Sequence, residues 1–316
     1  MAGFSTSQTD HLIRSNLWSS QIKEVLLDEL MATKYVDMIT DFPDGDTINI
    51  PSMGQSEVLD YLEGNAVKYT AMDTGNFTFS ITAYKSSATY ITERMKQDSF
   101  YTSRLVSSFV PKQARAIAKA MEVDILAVGP NGQTASNLNA INGANHRWVG
   151  SGTNETIAVQ DFAKAKYALQ KANVPMTNLV ALVDPSVEYA LSTLSNLTNV
   201  SNNPRWEGIV RDGMSTGTKF IMNVYGFDVY VSQNLKVNTT SETINSVTAS
   251  AGVNNLFFSA APDVLPIVGS IRQPPKVDSE YNKDMQREEY ITTCRYGFKL
   301  FRPENMVVVL TDTDQV

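Results

Sequence analysis

Hydrophobic and polar positions repeat with different periods along the 316-residue chain. Between Leu12 and Met31 apolar residues recur every three or four positions, which predicts an amphipathic helix or a broken pair of helices. Residues 47–51 and 76–84 alternate strictly, which predicts two strands. The polar residues 52–74 between them hold too few apolar side chains to be buried in their own domain. This predicted extended hairpin is therefore either mobile or held by something outside the subunit.

The middle of the chain returns to helical spacing near Glu93, most strongly over residues 111–126, which begin with a proline that suits a first helical turn. Residues 129–132, Gly-Pro-Asn-Gly, predict the end of that helix. The next 25 or so residues are rich in Asn, Gly, Ser and Thr and predict a loop region. A further helix is predicted at about 161–171.

The second half of the chain contains a strand, a sharp turn and a helix. The apolar run 179–183 is followed by Asp184, which suits a helix cap, and Pro185, which suits the first turn. A strand without polar alternation is buried on both faces, so this unit predicts an α/β core. Strands are also predicted over 225–231 and as two pieces between 289 and 310, separated by Arg-Pro-Glu, while residues 236–250 predict a loop.

Composition excludes several classes of protein. The chain has 33 acidic and 26 basic residues, a net charge of −7, which is opposite in sign to a general nucleic-acid binder. One cysteine cannot form an internal disulfide, and with two histidines, His11 and His146, no ordinary Cys/His zinc site can form. No apolar run approaches the roughly 18 residues of a membrane-spanning helix, and the amino terminus lacks the pattern of a secretory signal.

Candidate catalytic residues are few. His146, in the Asn/Gly-rich stretch, is more simply a solvated loop histidine than a general base, and Cys294, in a β-patterned stretch, is more simply a buried thiol than a nucleophile. Glu288 and Glu289 are neighbours on a predicted strand, so they point to opposite faces and act as surface charge. An α/β enzyme with its substrate near Asp184 remains an alternative, although the sequence supplies no obvious catalytic groups for it.

Four segments, taken in their order and spacing, carry a resemblance. They are 182–185 (LVDP), 226–229 (GFDV), 272–277 (RQPPKV) and 296–305 (YGFKLFRPEN). Together they resemble the major capsid (coat) proteins of tailed bacteriophages, whose fold is shared with herpesvirus capsid floors and encapsulin shells. The signature positions within them are Asp184, Pro185, Gly226, Phe227, Arg302, Pro303 and Glu304.

The resemblance implies an α+β fold in five parts. These are an amino-terminal arm (1–44), an extended loop formed by a β-hairpin (45–85), a peripheral domain with a long spine helix (86–175), an axial α/β domain (176–270), and carboxyl-terminal strands that return to the peripheral and axial domains (271–316). The spine helix is expected at about 93–127, with a kink or a division into two shorter helices at Pro111.

The resemblance also implies a structural function. The chain is expected to self-assemble as pentamers and hexamers into the icosahedral head of a tailed phage, which encloses double-stranded DNA without sequence-specific binding. It implies a virion location with assembly in the host cytoplasm, no catalysis, no cofactor, no metal and no membrane partner. A separate scaffolding protein, or an extension removed beforehand, a portal and a possible decoration protein are the other expected partners. An encapsulin-type shell is the nearest alternative. A tail-tube protein is disfavoured because such proteins are usually smaller and β-dominated, and an adhesin is disfavoured because the chain lacks repeats.

Residues expected at contacts between subunits lie in the arm and the extended loop. They are Trp18, Gly54, Tyr61, Lys68 and Tyr69. Some relatives form Lys-Asn crosslinks, and Lys68 or Lys85 is a candidate for that lysine, although a solvated loop lysine is the simpler interpretation.

Overall fold

The computed structural model of the protein describes residues 30–40, 45, 47–53, 58–60, 63–64, 66, 74–98, 102–133, 139–193, 220–244, 247–249 and 251–312. In chain order the elements are β1 (Val36–Met38), β2 (Thr47–Met53), β3 (Thr74–Ser80), β4 (Ala83–Thr92), α1 (Glu93–Asp98), α2 (Thr102–Gly132), β5 (Ala140–Ile141), β6 (Ala144–Asn145), β7 (Arg147–Val149), α3 (Val159–Lys171), β8 (Leu179–Val183), α4 (Pro185–Thr193), β9 (Phe220–Val224), β10 (Phe227–Val231), β11 (Val237–Asn238), β12 (Glu242–Ile244), β13 (Val247–Ala249), β14 (Gly252–Ser259), β15 (Ile267–Asn282), β16 (Arg287–Leu300) and β17 (Val307–Asp312).

A seven-stranded sheet forms the centre of what we call the axial unit. Its order is β7-β17-β14-β8-β10-β9, with β11 paired to β14. Every residue of β8 is buried, as its unbroken apolar run predicts. Helices α3 and α4 pack on one face around Phe162, Phe227 and Phe257, and the end of α2 packs on the other through Ile125 and Leu126. The predicted α/β core is confirmed.

A four-stranded sheet, β1-β15-β16-β4, forms the peripheral unit. Strands β15 and β16 pair antiparallel from Ile267 opposite Leu300 to Asn282 opposite Arg287. Helix α2 covers one face of this sheet, where Ile117 and Met121 pack with Cys294 and Tyr296. Cys294 is thus a buried thiol, as predicted, and burial raises its pKa.

The predicted hairpin is present. Strands β2 and β3 pair antiparallel from Thr47 opposite Ser80 to Met53 opposite Thr74. The single strand predicted over 76–84 is wrong, because the chain leaves the hairpin at Ile81 and starts β4 at Ala83 in a different sheet. Alternation reports which side of a strand is buried and carries no information on the sheet that the strand joins.

The long helix ends at the last residue of the predicted stop 129–132, which is five residues beyond the end expected for the spine helix at about 127. Helix α2 continues through Gly129 and Pro130 to Gly132, and it is not divided at Pro111. A Cβ added at Gly129 would lie 3.2 Å from Met306 Sδ, and one added at Gly132 would lie 2.9 Å from Leu300 Cδ2. Gly129 allows the helix to approach the axial sheet closely, and Gly132, the last helical residue, allows it to approach Leu300 at the end of β16. The expected start at residue 93 belongs to the separate helix α1.

Other predicted boundaries need correction. The loop expected after residue 132 contains β5, β6 and β7, and the loop expected at 236–250 contains β11, β12 and β13. The strand expected from residue 225 begins at Phe227. The strand, turn and helix at 179–191, the helix near 161–171 and the two final strands are confirmed. The expected divisions at residues 85 and 270 fall inside β4 and β15. Of the predicted helix 12–31, residues 12–29 lie outside the described residues, and residues 30 and 31 are not helical.

Candidate assembly surfaces

The root of the β2–β3 hairpin is fixed to the peripheral sheet. Phe79 and Ile81 are buried there. Gly297 of β16 lies directly beneath, since an added Cβ would be 2.8 Å from the Ser80 carbonyl oxygen and 2.9 Å from Ile81 Cα. The peripheral sheet therefore sets the direction in which the hairpin leaves the subunit.

A second contact holds the side of the hairpin. Lys299 Nζ donates a hydrogen bond to the Thr78 carbonyl oxygen at 2.7 Å and lies 4.8 Å from the centre of the Phe77 ring. The rings of Phe77 and Phe301 meet edge to face, with centres 4.9 Å apart. These contacts are all close to the root.

Beyond its root the hairpin exposes apolar side chains. Among the described strands, β2 and β3 pair only with each other. In the segment that joins them Val58 is 93% exposed, and Leu59 is exposed as well. An isolated two-stranded hairpin is marginally stable in water. This surface gains stability when another surface covers it.

The peripheral sheet has one face that α2 does not cover. Residues directly opposite each other on paired strands share a face, and Tyr84 is opposite Arg295 while Tyr90 is opposite Glu289. Tyr84 is 61% exposed and Tyr90 58% exposed. The Arg287 guanidinium lies 4.6 Å from the centre of the Tyr90 ring. We call this face, with Tyr84 and Tyr90, the open ribbon face. Tyrosines, which combine an apolar ring with a polar tip, are enriched at interfaces.

The helix-covered face holds a polar cluster. Tyr296 Oη donates to Asp124 Oδ2 at 2.7 Å, and Lys85 Nζ lies 3.3 Å from the same oxygen. Burial, followed by the Asp124 carboxylate, raises the pKa of Tyr296, so its hydroxyl remains a donor. The Lys85 amine is thus paired with Asp124 inside the subunit, and its role in a crosslink stays a prediction.

A buried carboxylate joins the long helix to the start of the described chain. Glu122 of α2 accepts hydrogen bonds from Met31 N at 3.0 Å and from Ala32 N at 2.8 Å. The Tyr35 ring packs edge to face on Phe258. Burial raises the pKa of Tyr35 to about 12, and a nearby tyrosine and nearby carboxylates contribute to this increase. Glu122 thereby fixes Met31 and Ala32 against the long helix.

Asp184 and Pro185 make the turn that the sequence predicts. Asp184 Oδ2 accepts hydrogen bonds from Ser186 N at 2.9 Å and Ser186 Oγ at 2.6 Å, and Asp184 N donates to Asn255 Oδ1 at 3.0 Å. Pro185 begins α4. The carboxylate caps a helix and has no catalytic partner among the described residues.

The remaining signature positions are spread over the axial unit. Gly226 has a φ of +93° in the turn before β10, and Phe227 is buried in the core. Arg302 donates to the Asp263 carbonyl oxygen, and Pro303 begins a short 3-10 helix that ends at Asn305. The signature residues therefore support the fold and do not converge on one site.

His146 is buried, so the prediction of a solvated loop histidine is wrong. The His146 Nδ1 lies 3.1 Å from the Ala144 carbonyl oxygen. The backbone carbonyl oxygen of His146 accepts a hydrogen bond from the Val308 amide. Burial lowers its pKa, and hydrogen bonds to the Ala144 and Glu304 backbone oppose that effect. The short strand β7, which a loop-like composition hides, brings this residue into the sheet.

An apolar groove of about 560 Å³ lies between α3, β7 and the β12–β13 hairpin. Trp148, Ile244 and Val247 form its apolar walls, and Lys164 and Tyr167 stand at its rim. We call it the axial groove. It is open to solvent, and β7 is the edge strand of the axial sheet beside it.

Two buried charged networks hold the walls of the axial groove. Asp161 accepts hydrogen bonds from Trp148 Nε1 at 3.1 Å, Ser151 Oγ at 2.7 Å and Ala158 N at 2.9 Å. On the other side Arg147 pairs with Glu242 of β12 at 2.6 Å. The groove is therefore formed before any partner arrives.

Other expected sites are not seen. The contact residues predicted in the arm and loop, Trp18, Gly54, Tyr61, Lys68 and Tyr69, lie outside the described residues. The described part of the chain contains no group of three or more His, Cys, Asp and Glu side chains that could hold a metal ion. Among the described helices, none is long and apolar enough to cross a membrane.

Comparisons with known proteins agree with this arrangement. A family model described as phage capsid protein matches residues 76–309. No curated protein matches the sequence. Among solved structures, a chain of Mycobacterium phage Che8 is 19% identical, with a TM-score of 0.69 over 94% of this chain and 96% of that chain. The mature capsid of bacteriophage PhiM1 is 10% identical, with a TM-score of 0.71 over 97% and 94%. The Cyanophage Pam1 capsid is 13% identical, with a TM-score of 0.67 over 99% of each chain.

The structural likenesses, at these identities, show the fold, while the family match covers most of the chain and shows the family. The encapsulin and enzyme alternatives are not favoured. The chain belongs to the phage capsid protein family and is a structural major capsid protein with the α+β fold of tailed-phage capsids.

Proposed function

We propose that many copies of this chain assemble, as pentamers and hexamers, into the icosahedral head that encloses the double-stranded DNA of a tailed phage. The observation that carries the proposal is the β2–β3 hairpin, which is anchored at its root and exposes Val58 and Leu59 beyond it. A neighbouring subunit is the partner that such a hairpin needs. An interface of standard size, roughly 1,600 Å², is sufficient for specific association, and several contacts per subunit reinforce one another.

The parts of the chain then take different roles. The arm (1–44) and the extended loop (45–85) reach neighbouring subunits, the peripheral domain (86–175) with α1 and α2 spans the capsomer edge, and the axial domain (176–270) lies near its centre. The final strands (271–316) return to both units, in keeping with the pairing of β16 with β4 and of β17 with β14.

The other partners follow from the same role. The chain assembles in the host cytoplasm with a scaffolding protein and a portal, and a decoration protein can bind outside. A net charge of −7 per copy suits a shell that encloses DNA without gripping it, since charges act only within a screening length of about 8 Å. The subunit needs no cofactor and has no catalytic activity. A crosslink through Lys68 stays a prediction.

Replacing residues 54–73 by a short Gly/Ser turn tests the role of the hairpin. Strand β2 ends at Met53 and strand β3 begins at Thr74, so the replacement keeps all the pairing between the two strands. We expect a folded subunit with unchanged thermal stability that no longer forms closed shells in negative-stain micrographs. Val58→Asp with Leu59→Asp is the gentler variant, and Val237→Asp, an exposed valine on β11, is its control.

A variant that still forms shells would contradict the proposed role of the hairpin. A variant that fails to fold would show that the segment belongs to the core of its own subunit.

A further inference from the structure

Two unusual features lie at opposite edges of the axial sheet. Strand β7 is one edge, and the axial groove lies beside it. Strand β9 is the other edge, and the turn that joins it to β10 presents Tyr225. Features at opposite edges can meet when copies of the subunit stand side by side.

The backbone of Tyr225 is held in a conformation that tyrosine rarely adopts. Its φ is +52°, and that of the next residue, Gly226, is +93°. A two-residue turn with both residues at positive φ favours Asn-Gly, and a bulky side chain at the first position is strained. The turn is secured by Gly226 N, which donates to Asn223 Oδ1 at 3.1 Å, and by Lys166 Nζ, which donates to the Tyr225 carbonyl oxygen at 3.1 Å.

The Tyr225 side chain is 52% exposed, so burial within the subunit does not offset the cost of this backbone. Strain of this kind is found at functional positions, where the surroundings hold it in place. The turn thus presents an aromatic ring to the outside on a rigid support.

The axial groove has the chemistry to accept such a ring. Its walls are the apolar side chains of Trp148, Ile244 and Val247, and Lys164 stands at the rim, where a tyrosine hydroxyl would stay in contact with water. Tyrosine is enriched among residues that dominate interfaces, because it combines an apolar ring with a polar tip. The walls are already fixed by Asp161 and by the pair of Arg147 and Glu242, so little ordering is needed on binding.

We propose that Tyr225 of one subunit inserts into the axial groove of the adjacent subunit within each capsomer ring. The proposal rests on the proposed capsid function and names the occupant of one interface. A contact that joins two different surfaces of the same chain is heterologous, and repetition around an axis closes it into a ring.

Tyr225→Asn separates a structural role from an assembly role. Asparagine tolerates positive φ, so the isolated subunit should melt at the same temperature or higher. Assembly should weaken, with at least a ~10-fold rise in the protein concentration needed to form shells, as expected for a residue that dominates an interface. Tyr225→Phe keeps the ring and should assemble nearly normally.

The groove has a matched pair of variants. Val247 and Val237 are both 53% exposed, but only Val247 lines the groove. Val247→Asp should raise the concentration needed for assembly by a similar factor, while Val237→Asp should leave it unchanged. Normal assembly of both Tyr225→Asn and Val247→Asp would overturn the proposal.

A disulfide tests the contact itself. The chain has one cysteine, Cys294, which is buried, so new thiols at the surface are distinguishable from it. In shells of Tyr225→Cys combined with Val247→Cys, oxidation should give a ladder of linked subunits that ends at the pentamer and hexamer. Shells that give no ladder would refute the contact and leave the capsid function standing. Failure of the unaltered protein to form shells under any condition would instead refute the capsid function.

Discussion

The axial and peripheral units are both built on sheets, yet they bury their strands very differently. In the axial unit every residue of β8 and β14 is buried, because helices pack on both faces of the sheet. In the peripheral unit β15 is buried over its first four residues and exposed over most of the rest, and α2 covers one face only. The axial unit therefore has a complete core within one chain. The peripheral unit has a sheet covered on one face only, and the hairpin. Under the proposed function a second subunit covers the rest.

The largest effect should come from a core aromatic of the axial unit. The Phe257 ring packs edge to face on Phe162 at 5.1 Å and on Phe227 at 5.5 Å. Phe257→Ala should lower the free energy of unfolding by about 3–5 kcal/mol, since it removes a buried ring and leaves a cavity. Denaturant titration of the subunit measures this loss. Phe77→Ala, at a half-buried ring near the root of the hairpin, is the comparison and should cost less. Equal losses would contradict the difference between the two regions.

An intermediate effect on stability is expected where Met31 and Ala32 join the long helix. Glu122→Gln replaces an acceptor oxygen by a donor that faces the Met31 and Ala32 amides. It should lower the free energy of unfolding by about 1–3 kcal/mol, the usual cost of a buried polar group left without its partner. Limited proteolysis should also cut faster near residue 31. Glu280→Gln, at an exposed position of β15, is the control and should show neither change.

A smaller effect is expected from pH. Burial lowers the pKa of folded His146 below its ordinary value of 6.5, so the unfolded chain takes up this proton first as the pH falls. The contribution of His146 to stability is therefore complete above about pH 6.5 and is lost as the pH falls toward the folded-state pKa. The slope from one such group is at most ~1.4 kcal/mol per pH unit. Unfolding titrations at pH 7 and pH 5 should differ less in His146→Gln than in the unaltered protein, and an identical difference would contradict this account.

The smallest effect on the subunit should come from the open ribbon face. Tyr84→Ser with Tyr90→Ser should change the free energy of unfolding by less than about 0.5 kcal/mol each, as exposed positions do. Assembly should nevertheless weaken, because these rings are the exposed part of the incomplete peripheral core. Tyr281→Ser, which removes a ring from the opposite side of the same ribbon, should assemble normally. A large loss of stability with normal assembly would reverse the interpretation of this face.

Elements specified by neighbouring residues were predictable from the sequence. The run 179–183 with Asp184 and Pro185 identifies its strand, cap and helix from local chemistry alone. The predictions that failed depend on distant packing. Gly129 belongs to the predicted helix stop, but it is helical, and its close contacts with Leu256 and Met306 determine its role. His146 is predicted to be solvated because the strand that pairs with the neighbouring β7 is β17, more than 150 residues away in the chain.

The residues that shape the candidate surfaces were harder to predict. Glu122 stands out only as a carboxylate within an apolar stretch of helix, and its partners lie about 90 residues earlier in the chain. Asp161 had a local signal, because an acid in the third position of a helix commonly accepts a backbone hydrogen bond from the residue before the helix. Tyr225 gives no sequence signal for strain, since its φ depends on the register of β9 with β10. The resemblance to the family predicted the architecture, whereas the contacts of Glu122 and Tyr225 could be identified only from the three-dimensional structure.

Hydrogen exchange of the free subunit and of the assembled shell is the most direct test of the account. We expect β8, β14 and β17 to be protected equally in both states, because one chain completes their core. The amides of β2, β3 and the exposed part of β15 should exchange quickly in the free subunit and become strongly protected in the shell. Equal protection of the hairpin in both states, or a protein that stays monomeric with every neighbouring gene product supplied, would contradict the claim that a second subunit completes this fold.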